Sequence, residues 1–118
     1  MIDTNIIMQA AVDTAMWSTH DDRGEPLRDS YFNSDLAPET VENLHMDVHL
    51  FVEENIEDLM ASNLDSLQIG HDFILTRNGH GAGFWDRGLG EVGDRLSEAA
   101  KSYGSFDLYV GDDGLLYT

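Results

Sequence analysis

His71-Asp72-Phe73-Ile74-Leu75-Thr76-Arg77-Asn78-Gly79-His80-Gly81-Ala82-Gly83-Phe84-Trp85-Asp86 is the stretch on which the fold turns. Its first six residues centre on Phe73-Ile74-Leu75 and read as a strand, because a short apolar run with β-branched members suits a buried pleat. Asn78-Gly79 tolerates positive φ and signals a tight turn. Ala82 to Trp85 can then return as a second strand. A hairpin here predicts an antiparallel sheet in the second half of the chain.

Downstream, Leu89, Val92, Leu96, Ala99, Ala100 and Tyr103 recur at helical spacing, with Glu91 and Arg95 as an i,i+4 pair and Gly104 suited to the C-terminal cap. Phe106 to Val110, Gly111-Asp112-Asp113-Gly114 and Leu115 to Tyr117 read as a closing hairpin. Upstream, Pro38 fits the first turn of a helix running to about Ala61. Val41, Leu44, Val48, Phe51, Val52, Ile56 and Leu59 form its apolar stripe. Glu39, Glu42, Glu53, Glu54, Glu57 and Asp58 fall on the other side, making a rod of roughly 35 Å with an anionic face. Thr4 to Trp17 reads as a first helix, capped by Asp3 or Thr4. Between them Ser18 to Ala37 is irregular, with Tyr31, Phe32 and Leu36 expected to pin it to the core. The expected fold class is α+β: two N-terminal helices, then a small antiparallel sheet with a third helix between its hairpins. One acidic domain over 1–118 fits the length.

Charge restricts the partners. The 118 residues hold 23 acids against 6 Lys or Arg, a net charge of −17. No Lys or Arg lies between Arg28 and Arg77, while that interval holds Asp29, Asp35, Glu39, Glu42, Asp47, Glu53, Glu54, Glu57, Asp58, Asp65 and Asp72. Such a surface repels nucleic acid and anionic membrane and attracts basic proteins. The hydrophobic fraction of 42% is that of a folded chain rather than a disordered tail. The absence of cysteine excludes disulfides and thiolate metal sites. No secretory signal or membrane-length apolar run is expected, so the reading is a soluble, cytoplasmic protein.

Discrete sites are sparse. Arg77, His80, Trp85 and Asp86 surround the glycine-rich loop and are the candidate loop site. Arg77 and His80 can bind an anion or nucleotide, His80 with Asp86 can act as an acid–base pair, and Trp85 can serve as an interface anchor. A hairpin in which the glycines merely satisfy φ is the plainer reading, and no activated nucleophile points to catalysis. His45 and His49 share a helix side at a spacing that suits zinc. Met46 stands where a zinc protease needs Glu, and a third ligand would have to come from His20, His71 or His80. Partly buried polar residues are therefore expected there, with no metal or other cofactor. Asp112-Asp113-Gly114 lacks the remaining ligands of a calcium loop and reads as a turn. Trp17, Phe73, Phe84, Trp85, Phe106 and Tyr109 are read mainly as core.

Trp17-Ser18, Asp22, Gly24-Glu25-Pro26-Leu27, Leu36-Ala37-Pro38-Glu39-Thr40, Gly70-His71-Asp72-Phe73, the run from Leu75 to Asp86 and Asp107-Leu108-Tyr109-Val110-Gly111-Asp112-Asp113-Gly114 together resemble a family of small acidic bacteriophage and prophage proteins. Ile74 stands where a Trp is expected in that family, a change in packing. The resemblance spans nearly the whole chain and implies a viral protein working in the cytoplasm of a bacterial host. It carries no catalytic residue across. The resulting expectation is a non-enzymatic anti-defence inhibitor, of the anti-restriction or anti-CRISPR kind, that binds a basic DNA- or RNA-handling host protein through the acidic helix. DNA mimicry is one form this could take. The alternative is a small ligand-binding or enzymatic module using the Arg77–Gly81 loop. An assembly role, with Trp85 or else Leu50 and Met46 joining the subunits of a homodimer, is a third reading.

Overall fold

The computed structural model describes residues 2–118. Among them are five α-helices: α1 Thr4–Ser18, α2 Pro38–Glu54, α3 Ile56–Ser62, α4 Ser66–Arg77 and α5 Glu91–Lys101. The only sheet among the described residues is a ribbon of β1 Tyr109–Val110 and β2 Leu116–Tyr117, antiparallel, with Tyr109 opposite Tyr117 and Val110 opposite Leu116. The fold is mostly α. This corrects the α+β expectation of two helices followed by a sheet with a helix between two hairpins.

The decisive difference lies at His71–Thr76, which is the body of α4 and not a strand. Asp65 starts the helix: its Oδ1 accepts from the Gln68 N–H at 2.8 Å, engaging a donor that the first turn leaves free. Every residue from Asp72 to Arg77 is buried. Over Asp72–Arg77 the helix is enclosed on all sides and shows no amphipathic stripe, so this short window imitates a strand. Asn78-Gly79 ends this helix instead of joining two strands. Ala82–Trp85 is loop that enters a 3₁₀ turn at Phe84–Asp86.

A second correction concerns the long acidic helix, which breaks at Asn55 into α2 and α3. The Asn55 side-chain amide donates to the Phe51 carbonyl at 2.9 Å, and its backbone leaves the helical region with φ −122° and ψ 20°. Side-chain bonding of Asn to the preceding turn competes with helix continuation. α2 is therefore about 25 Å long rather than 35 Å.

The core is organised around α4. On one side α4 lies against α1, and Gly70 permits the approach. A Cβ at Gly70 would run into the Ile7 carbonyl oxygen and stand 2.7 Å from Ala10 Cβ. On the other side Phe73 meets Phe51 of α2 at 4.5 Å between ring centroids, and Tyr103 at 5.6 Å. Phe84 packs on Phe51 at 5.7 Å. The Ser18–Ala37 segment is tied by Leu36, whose neighbour Ala37 donates its N–H to the Leu116 carbonyl at 2.9 Å. Leu36 is buried and Tyr31 partly so, but Phe32 stands exposed. Trp17, Trp85 and Tyr109 are also exposed, unlike the buried Phe73, Phe84 and Phe106.

Two predictions follow from this packing. Gly70→Ala gains about 1 kcal/mol in helix propensity but forces two helix backbones apart, an overpacking penalty of about 3 kcal/mol. The net loss should be about 2 kcal/mol in urea denaturation, and an unchanged midpoint would contradict the close approach. At the ribbon, the Tyr117 hydroxyl donates to Asp113 Oδ2 at 2.6 Å. That bond pushes the Tyr117 pKa up from 10.0 to about 12. A raised phenol pKa means its stabilisation is complete below pH 10 and is lost as the pH climbs through 12. Ultraviolet titration of the wild type against Tyr117→Phe should show one phenol ionising late, and Asp113→Asn should return it toward 10.

Candidate functional site

The six acids expected to form one face divide between two places. Glu39 and Glu42 lie near the start of α2, where Glu39 borders a shallow depression with Tyr109, Asp112 and Tyr117 of the ribbon. Glu53, Glu54, Glu57 and Asp58 gather at the α2–α3 break and line another of about 460 Å³. Glu39 and Glu53 are fourteen residues apart, about 21 Å along the helix axis. Glu39, Glu42, Glu53, Glu54 and Glu57 are exposed.

Asp58 differs from the others. Arg95 of α5 clasps it with two bonds, Nε to Oδ2 at 2.9 Å and Nη2 to Oδ1 at 2.8 Å. The side-chain bonds from Arg95 hold the Asp58 carboxyl below its usual range, against a smaller effect of desolvation. Arg95 also stands 3.9 Å from Glu91. The pair joins α3 to α5, so Asp58 braces the fold beneath the exposed glutamates. The same contact places Glu91 beside the α2–α3 cluster, which the uneven charge along the sequence does not reveal.

All five arginines are held in ion pairs: Arg23 with Asp21 and Glu25, Arg28 with Asp13, Arg77 with Asp47, Arg87 with Asp72 and Asp86, and Arg95 with Asp58 and Glu91. These engage eight of the 23 acids and leave fifteen carboxylates with no ion-pair partner among the described residues. Among the described residues Lys101 is the one Lys or Arg outside these pairs. The positive charge is thus spent on intramolecular contacts, and the negative charge is left facing solvent.

The glycine-rich loop is built differently from a ligand cradle. Arg77 is only 8% exposed. Its Nε donates to the Gly104 carbonyl at 2.8 Å and its Nη2 to that of Tyr103 at 3.3 Å. Nη1 forms an ion pair with Asp47 at 3.1 Å. The guanidinium also lies over the rings of Phe73, Tyr103 and Phe106. Burial lowers the Arg77 pKa, and Asp47 opposes that effect. Asn78 adds a two-way clamp on Phe106: its Oδ1 accepts the Phe106 N–H at 2.6 Å and its Nδ2 donates to the Phe106 carbonyl. Asp86 accepts the Gly83 N–H at 3.1 Å, and a Cβ at Gly83 would strike Thr76 Oγ1. His80 is exposed, and no hydrogen bond or ion pair joins it to Asp86 among the described residues. Trp85 is exposed beside them, at 51%.

Asp72 is the polar residue that the strand reading hides. It is fully buried. Arg87 grips it with Nε to Oδ2 at 3.0 Å and Nη2 to Oδ1 at 2.8 Å, and Gln68 Nε2 donates at 2.8 Å. Gln68 and Asp72 stand at i,i+4 on α4, a spacing that would have shown the link had a helix been read there. The loop from Asn78 to Gly90 is therefore stapled to α4 by its own arginine.

No helix among the described residues is long and apolar enough to cross a membrane. Arg77→Ala should lower stability by about 3 kcal/mol, since it strands Asp47 and uncaps the end of α5. His80→Ala, at an exposed position, should stay within about 0.5 kcal/mol of wild type. Chemical denaturation of both variants checks this, and an undiminished Arg77→Ala protein would mean that the guanidinium is a free binding group. No family model, curated protein or solved structure matches this chain.

Proposed function

We propose that this protein is an inhibitor that binds a basic, nucleic-acid-handling protein through the exposed carboxylates around the α2–α3 break. One observation carries the reading: every arginine is neutralised within the fold, while fifteen carboxylates have no ion-pair partner among the described residues. Unneutralised charge of one sign steers encounter with a partner of the other sign and excludes anions. Glu53, Glu54 and Glu57 are the central contacts, with Glu39 and Glu42 as a separate flank. Because Asp58 is consumed by Arg95, it supports the surface rather than meeting the partner. The resemblance to small acidic phage proteins supports placing the target among host defence enzymes, in the cytoplasm of a bacterium. The protein would act by occupying Lys and Arg positions that otherwise hold phosphates.

The test is capture of partners from a bacterial lysate by the tagged protein, at low and high salt. A DNA- or RNA-handling partner should be retained at about 0.1 M salt and released at about 1 M, where the Debye length falls from about 10 Å to 3 Å. The combined variant Glu53→Gln, Glu54→Gln, Glu57→Gln should lose that partner and melt as the wild type does. Retained affinity in this variant would sink the assignment of the surface. Competition by duplex DNA for the partner separates occupation of its DNA site from binding elsewhere on it.

A further inference from the structure

His45 and His49 lie four residues apart within the uninterrupted part of α2. Both are exposed, which corrects the expectation of partly buried polar residues. Their rings meet edge to face, with centroids 4.4 Å apart and an interplanar angle of 80°. The two Nε2 atoms point at each other across 3.1 Å. One ring therefore donates its Nε2 proton to the lone pair of the other.

We propose that His45 and His49 form a two-histidine chelate for a divalent first-row transition ion of the zinc class. Metal–imidazole bonds of about 2.05 Å place two nitrogens about 3.3 Å apart at a tetrahedral angle and about 2.9 Å apart at a right angle. The observed separation falls between these values, so the helix already holds both ligand atoms at chelating distance. Binding needs two changes: the donor ring's proton moves from Nε2 to Nδ1, and the rings turn so that both Nε2 lone pairs aim at an ion lying off the line between them. Both rings stay neutral, and two lone pairs then converge on one point. The remaining coordination positions open to solvent and are filled by water. Glu42, three residues before His45, and Glu53, four after His49, flank the pair on the same side of the helix. Their charge concentrates cations at the pair without coordinating them. Imidazole nitrogen selects zinc, nickel and copper over magnesium and calcium, which demand oxygen. The ligand atoms come from His45 and His49 alone, whereas Glu42 and Glu53, which the proposed partner surface also uses, add only charge.

The experiment is competition for zinc between the metal-stripped protein and a chromophoric zinc indicator. The wild type should take one zinc per chain. His45→Gln and His49→Gln should each weaken zinc binding at least tenfold while keeping the wild-type circular dichroism. His80→Gln should bind as the wild type does, and excess magnesium should not displace the zinc. Undiminished binding in both variants, displacement by magnesium, or failure to compete with the indicator would each overturn the proposal.

Discussion

The contact of Gly70 with α1 is the constraint from which the remaining packing follows. With no side chain at this position, the α4 backbone reaches the Ile7 carbonyl and the Ala10 methyl. α4 then sits at the centre of the molecule, with α1 on one side and Phe51 of α2 on the other. A central helix must satisfy polar groups on every face, because buried polar atoms without partners are costly. Asp72, Thr76, Arg77 and Asn78 are those groups. Each reaches outward to fix a different segment: Arg87, the Phe84 N–H, the end of α5 and Phe106. The loops after α4 are therefore placed by α4 itself and need no sheet to order them.

How much of this is legible in the sequence depends on whether an element has a solvent face. α1 is read almost to the residue, since Asp3 caps it through bonds to the Asn5 and Ile6 N–H groups and its buried positions recur with helical period. Pro38 at the head of α2, the end of α5 near Gly104, and the Gly111–Gly114 turn are also legible, because each follows a local backbone rule. α4 is not, because enclosure erases periodicity. Asp65 before Ser66-Leu67-Gln68 is the one local sign of its start. The Asn55 break escapes for another reason: Asn is tolerated inside helices, and only its bond to Phe51 reveals the competition.

The same contrast governs the residues of the candidate site. Exposed glutamates are visible from helical spacing alone. The division of labour between Asp58 and its neighbours is not, because it depends on Arg95, thirty-seven residues away in sequence. Arg77 presents the reverse case. Beside a glycine-rich turn it suggests anion binding, yet its donors are met by backbone carbonyls and Asp47. Guanidinium geometry suits both roles, with five fixed donors that match either phosphate or helix-end carbonyls.

The complete engagement of arginine has a consequence for crowded solutions. Two copies that meet by diffusion find carboxylate facing carboxylate, with almost no cation available to bridge them. Like-charge repulsion of this kind keeps a protein dispersed as concentration rises. Self-association would have to be apolar and would work against that repulsion. The internal ion pairs thus do more than hold helices together. They remove the countercharges through which the molecule would otherwise adhere to itself, leaving an attraction reserved for surfaces of opposite sign.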